Sequence, residues 1–303
     1  MQKVLQNPYI LLCTATWFWA GNTIAGRLAV DQISPIALTS LRWFVVLICL
    51  LPFVAKDLTR SWSELKPFTW KITWMGSLGF TGFSFFIYQA AHSTGAANIS
   101  IIQGITPAIV LVGAFLFYKI HVTYQQILGV CLAFWGIITI GIKGDINHLK
   151  ALHFSIGDLW MIAASTLYAV YTLGLRNKPP LKALTFFFAL AIAAFISSLF
   201  LFGWEIFNHG FQWPTQQGWL VLFYIALFPS LLSQICYIRG VELIGPARAG
   251  LFVNLIPIFG TLMAAHTPNE PFGMYHITGL CLVLGGIILA EWEKIFSKQQ
   301  LRK

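Results

Sequence analysis

From residue 9 to residue 292 the chain is a succession of apolar runs, parted by short stretches that hold charge, proline and glycine. A helix needs roughly 20 apolar residues to cross about 30 Å of hydrocarbon. A backbone in lipid must also satisfy its own hydrogen bonds, so each run is predicted to be a membrane-spanning helix. The punctuation divides the sequence into ten spans: 9–29, 34–54, 70–91, 96–118, 124–142, 156–174, 183–203, 217–238, 246–265 and 274–292. Only 10% of the residues are charged, which leaves no room for a sizeable soluble domain. The expected fold is an all-α integral membrane protein.

Trp62, Trp70, Trp74, Trp204, Trp213, Trp219 and Trp292 fall near predicted span ends, where an interfacial aromatic belt would place them. Cys13, Cys49, Cys131, Cys236 and Cys281 lie inside apolar runs and form no CxxC pair. They read as buried packing thiols, with neither a disulfide framework nor a zinc site.

An internal repeat organises the spans. Gly95, Ala97 and Pro107 recur 150 positions later as Gly245, Ala247 and Pro257. The same offset carries Gly129, Cys131 and Gly136 onto Gly279, Cys281 and Gly286. Thr23 and Arg27 meet Thr172 and Arg176 at an offset of 149, and Ala37-Leu38-Thr39 meets Ala183-Leu184-Thr185 at 146. Residues 1–150 and 151–303 thus read as two five-helix repeats of one integrated membrane domain. Because span one has a partner in span six, it belongs to the fold and is not a cleaved signal.

Five helices per repeat require the second half to enter the membrane upside down, the inverted-repeat plan of many secondary transporters. Charge supports this. With the N-terminus inside, fifteen Lys and Arg fall on inner connections and three (Arg27, Lys143 and Lys150) on outer ones, Arg42 lying within span two. By the positive-inside rule both termini are cytoplasmic. The net charge of +9 is accordingly a topology signal and no sign of a nucleic-acid partner.

At this point the chain resembles the EamA family of the drug/metabolite transporter superfamily. The resemblance rests on the duplicated ten-span layout, Trp17-Phe18-Trp19-Ala20-Gly21-Asn22 in span one and Leu41-Arg42-Trp43 in span two. It rests also on Ile105-Thr106-Pro107 with Leu255-Ile256-Pro257, and on Glu270-Pro271-Phe272 followed by Tyr275-His276 and Gly279. His266-Thr267-Pro268-Asn269 departs from the pattern, since relatives usually stay apolar up to the Glu-Pro pair. The resemblance implies export or exchange of small metabolites, often amino acids, through a central cavity. Spans 1, 3, 4, 6, 8 and 9 would line it, with spans 5 and 10 at the periphery.

In inverted repeats the site lies near mid-membrane at the repeat interface. Trp19, Asn22, Thr23 and Gly26 share a helix face on span one, and Tyr168, Tyr171, Thr172 and Leu175 are their counterparts on span six. Ser84, Tyr88 and His92 form a stripe on span three, Gln234 and Tyr237 one on span eight, and Ser100, Gln103 and Asn254 add polar groups from spans four and nine. Such aromatic and amide faces suit a substrate with apolar and polar parts. Helix packing with hydroxyls bonded to nearby carbonyls is the competing role. Pro107 and Pro257 each remove an N–H inside a span and are candidate hinges, with a static kink as the alternative. Arg42 is the one charge well inside a span and must face protein or water, either as a structural anchor or toward an anionic group. Phe188 stands in its place in the other half. His92, and His266 with Glu270, are weaker candidates for a proton relay or a metal pair, with plain solvation at the interface as the competing role, and Arg239 with Glu242 for a local pair.

No G-x-x-x-x-G-K-[ST] loop is present, which excludes nucleotide hydrolysis by the P-loop route. The function expected is a secondary transporter, an exporter or exchanger of small metabolites such as amino acids, working by alternating access and needing no cofactor. Its expected partners are a small-molecule substrate and the lipid bilayer, in a bacterial cytoplasmic (inner) membrane. Small residues on spans 5 and 10 suit either a homodimer contact or packing within one chain. A membrane-embedded enzyme acting on a lipid-linked substrate is the alternative. Such enzymes gather acids and histidines at one interface, whereas the ten carboxylates here are dispersed.

Overall fold

The computed structural model describes residues 6–60, 62–150, 155–209, 213–264 and 273–300, and among them there are helices and turns but no strand. The α-helices run α1 (Pro8–Leu28), α2 (Pro35–Arg60), α3 (Trp62–Leu65), α4 (Thr69–Gly76), α5 (Phe83–Ala91), α6 (Ala96–Gln103), α7 (Thr106–Tyr118) and α8 (Tyr124–Gly141). After α9 (Ile146–Lys150) come α10 (Ile156–Gly174), α11 (Ala183–His209), α12 (Gln216–Ile225), α13 (Ser233–Ile244), α14 (Pro246–Leu251), α15 (Leu255–Ala264) and α16 (Met274–Gln300). Seven helical stretches among the described residues are long and apolar enough to cross a membrane, and Pro246–Gly260 is a shorter apolar one.

Local sequence accounts for where helices start. Asn7 caps α1, its Oδ1 accepting from the Tyr9 and Ile10 amides, and Pro8 opens the helix where no N–H is needed. Thr123 and Gln126 form a capping box on α8, and at the start of α10 the Asp158 carboxylate accepts from the Ser155 amide at 2.8 Å.

Packing repeats with the halves exchanged. α1 lies on α13 and α15, while α10 lies on α5 and α7; α2 packs on α11, α7 on α14 and α8 on α16. The last pair meets through glycine. A Cβ at Gly129 would stand 2.5 Å from the Gly286 carbonyl oxygen, and one at Gly136 2.8 Å from that of Gly279. These small residues therefore serve contact within the chain, bringing two backbones together. Cys131 and Cys281 are exposed, Cys13 and Cys49 half-buried, and only Cys236 is buried, which corrects the expectation of five buried thiols. Cys131 lies two positions from Gly129, on the side of α8 turned away from α16.

Two departures from regular helix also repeat. Ser77–Gly82 joins α4 to α5 as a π-helical turn, and Ala226–Leu232 joins α12 to α13 in the same way, where unbroken helices were expected. π-turns recur at functional sites. Pro107 and Pro257 also stand beside departures from regular helix. Pro107 lies in the first turn of α7 after a break at Gly104–Ile105, and Pro257 in the first turn of α15 after a 3-10 turn at Phe252–Asn254. Each proline thus sits next to an interruption of regular helix, in a first turn where its missing N–H leaves no partner unsatisfied.

Candidate functional site

Where α1, α5, α10 and α13 meet, aromatic side chains from both halves close on one another. The Trp19 ring lies 5.8 Å from that of Tyr168 and 5.1 Å from that of Tyr237. Tyr168 in turn lies 5.5 Å from Tyr171, 5.9 Å from Tyr237 and 5.3 Å from Phe83. Each such pair contributes about 0.5–1.5 kcal/mol beyond its buried area. Polar edges are woven in: the Tyr171 hydroxyl donates to Gln234 Oε1 at 3.2 Å, and the Thr172 and Tyr237 hydroxyls are 3.2 Å apart.

Both π-turns abut this cluster. The Trp19 indole N–H donates to the Pro229 carbonyl at 3.0 Å, inside the second turn. In the first, Phe80 packs 5.0 Å from Tyr171, and Gly79 lies so close that a Cβ would stand 2.7 Å from the Tyr171 Cβ. Pro229 was a signal in plain sight, a proline inside a predicted span, that the sequence reading did not use. The Tyr168 hydroxyl is buried without a hydrogen-bond partner among the described residues. An unmet buried hydroxyl costs about 1–3 kcal/mol, an expense a bound polar group would remove.

Two polar clusters fasten the halves together above and below these rings. At the start of α10, Asp158 accepts from the Thr94 hydroxyl at 2.6 Å and from the Asn98 amide at 3.1 and 3.2 Å. At the start of α14, Arg248 forms a buried ion pair with Glu291 of α16, and the Tyr9 hydroxyl of α1 donates to Glu291 at 2.8 Å. Asn98 and Arg248 are 150 positions apart and Tyr9 and Asp158 149 apart, the register of the repeat. The clusters occupy opposite ends of the bundle. From Asp158, α10 runs for about 24 Å to Gly174. Just beyond its far end, Lys178 pairs with Glu242 at 3.0 Å, six residues before Arg248. Glu242 also takes Arg239 at 2.7 Å, the local pair expected from sequence. The Arg248–Glu291 pair was missed, because Arg248 was counted only as a topology charge.

The remaining candidates are spread more widely. Arg42 is buried at 8% exposure, donates to the Ser84 hydroxyl and stacks its guanidinium 5.2 Å from the Trp43 ring. Tyr88 and His92 line a separate cavity of about 250 Å³ between α2, α5 and α11. His92 is exposed, its Nδ1 2.7 Å from the Tyr88 carbonyl. Asn22 and Gln103 are half-buried and Thr23 is exposed. Asn254 is buried in the turn before α15, with neither amide atom partnered among the described residues. His266 and Glu270 lie outside the described residues.

Comparison with known proteins agrees with this architecture. A solved crystal structure superposes with a TM-score of 0.77 at 17% identity, covering 93% of this chain and 96% of that one. Two proteins of Bacillus subtilis (strain 168), the uncharacterized transporters YyaM and YetK, are each 24% identical over 94% and 96% of this chain and 93% and 89% of their own lengths. An uncharacterized transporter of Archaeoglobus fulgidus is likewise 24% identical, over 93% of this chain and 96% of its own. The profile of the EamA-like transporter family matches twice, over residues 6–142 and 155–292. Seven apolar helices of spanning length, a fold matched end to end and two copies of one family profile all agree, and the chain belongs to the EamA-like transporter family of membrane transporters.

Proposed function

We propose that the chain is a secondary transporter of small metabolites such as amino acids, an exporter or exchanger, built of ten spans in two inverted five-helix repeats, residues 1–150 and 151–303. Both termini face the cytoplasm, and the host membrane is a bacterial cytoplasmic membrane. The aromatic cluster of Trp19, Tyr168, Tyr171, Gln234 and Tyr237 is the closed substrate site, and the two end clusters hold the halves together on either side of it. Alternating access parts the halves at one end while the other stays fastened.

The observation that carries this reading is the unpartnered Tyr168 hydroxyl, buried among rings from both halves and level with the two π-turns. A substrate with an apolar body and a polar group would satisfy that hydroxyl as it displaces the rings. Family membership favours a transporter over a membrane-embedded enzyme.

The test is counterflow in proteoliposomes with a panel of radiolabelled amino acids. Saturable flux of at least one member is expected, falling tenfold or more in Trp19→Ala and severalfold in Tyr168→Phe. Absence of flux across the panel, or undiminished flux in both variants, would remove the cluster from the transport path.

A further inference from the structure

The cavity of about 250 Å³ between α2, α5 and α11 has a wall whose polar chemistry runs one way. Half-buried Glu205 and exposed His92 stand at its mouth, and the buried Thr39, Thr81 and Ser198 line it deeper. Seven residues of α11 separate Ser198 from Glu205, a rise of about 10 Å. The Glu205 carboxylate accepts from the Ser34 hydroxyl at 2.8 Å and pairs with no basic side chain among the described residues. A carboxylate accepts at about four lone-pair sites, so most of that capacity is unused. No lysine or arginine lines the cavity, and Arg42 and its partner Ser84 stand outside the wall.

Each deeper hydroxyl already donates its single hydrogen to a helix carbonyl. Thr39 donates to Pro35 at 2.9 Å, Thr81 to Ala194 at 2.8 Å and Ser198 to Phe195 at 2.8 Å. Only lone pairs remain on them. His92 behaves alike: its Nδ1 lies 2.7 Å from the Tyr88 carbonyl, which can only accept, so Nδ1 carries the proton and the neutral ring keeps Nε2 as an acceptor. Tyr88 and Gln89, the other polar groups of the wall, can accept as well as donate. The wall therefore fits donors and, at Glu205, a positive charge.

We propose that this cavity binds a small primary amine with an apolar body, the ammonium seated on the Glu205 carboxylate. One uncompensated carboxylate matches one positive charge, and an ammonium brings three donors and no acceptor. Phe85, Leu201 and Trp204 give the body an apolar wall, and aromatic neighbours favour a cation. A carboxylate or phosphate would meet like charge at Glu205. An ethanolamine headgroup carries the same ammonium, so lipid is the other source of this chemistry. The site is separate from the aromatic cluster, and its failure would leave the transport reading standing.

The experiment is thermal unfolding of the full chain in phosphatidylcholine nanodiscs, which hold no primary amine. The titrants are phenethylamine, the neutral 2-phenylethanol and the anionic 3-phenylpropionate. Phenethylamine is expected to raise Tm saturably, and the other two are not. Glu205→Gln keeps an oxygen that can accept from Ser34 and should raise the half-saturating concentration about tenfold or more. Leu201→Trp, which fills the cavity and leaves the charge in place, should abolish the shift. Trp19→Ala and nanodiscs containing phosphatidylethanolamine should both retain it. Should Glu205→Gln not fold, Leu201→Trp decides. No saturable phenethylamine shift in the wild type, an equal shift with either control, or a shift unchanged in Leu201→Trp or in folded Glu205→Gln would overturn the proposal. So would loss of the shift in folded Trp19→Ala, which would move the amine to the aromatic cluster, or in phosphatidylethanolamine, which would give the site to a lipid headgroup.

Discussion

At one end of the bundle the start of α10 meets the α5–α6 corner through Asp158, Thr94 and Asn98; at the other the start of α1 meets the start of α14 through Tyr9 and Arg248. The positions match within one residue of the repeat register. The chemistry does not. Asp158 carries the acid on the α10 side and surrounds it with neutral donors. At the other end the acid comes from a third helix, Glu291 of α16, and faces a full positive charge. The two ends are fastened by different chemistry at matching positions. The ion-paired end also straps α16, and with it α8, to the core. The ion pair itself joins two helices of the second half, so the polar link between the halves there runs through the Tyr9 hydroxyl. At the other end Thr94 and Asn98 both reach across to Asp158.

Unequal fastening has measurable consequences. Glu291→Ala would leave Arg248 buried and unpaired, and should destabilise the protein by about 3–5 kcal/mol in detergent unfolding. Arg248→Leu with Glu291→Leu together should recover most of that loss, since an apolar pair removes both desolvation costs. A loss under 1 kcal/mol for the single variant would mean the pair is not formed. Asp158→Ala removes bonds to a charged acceptor but strands only neutral donors, for an expected cost of about 1.5–3 kcal/mol. If it costs more than Glu291→Ala, the ranking of the two ends is reversed. Tyr9→Phe deletes one hydroxyl from the stronger cluster and should cost about 0.5–1.5 kcal/mol, read by the same unfolding assay.

The α8–α16 contact was legible in the sequence through small residues at one offset. Gly129, Gly136, Gly279 and Gly286 recur at one offset, and they are the residues that let α8 and α16 touch backbone to backbone. The aromatic cluster was legible through spacing: Trp19, Tyr168, Tyr171, Gln234 and Tyr237 stand with other polar and aromatic residues on helix faces inside apolar spans. What spacing did not reveal were interactions made across long separations. Tyr9 and Glu291 stand 282 positions apart, and no local pattern joins them. The π-turns left only indirect traces, a glycine pair in one span and Pro229 in the other. Ser84 and Tyr88 share a stripe in sequence, yet Ser84 is held by Arg42 and Tyr88 faces the side cavity, because α2 intrudes on that face of α5.

Sidedness of the two halves is the most direct test. In a background with all native cysteines replaced, including the exposed Cys131 and Cys281, single cysteines at Lys66 and at Asn208 would be probed in intact cells with a membrane-impermeant maleimide. These sites follow corresponding spans of the two repeats. Labelling of Asn208→Cys from outside, with Lys66→Cys reached only after the membrane is opened, is the result predicted. Both positions labelled from the same side would contradict the inverted pairing of the halves.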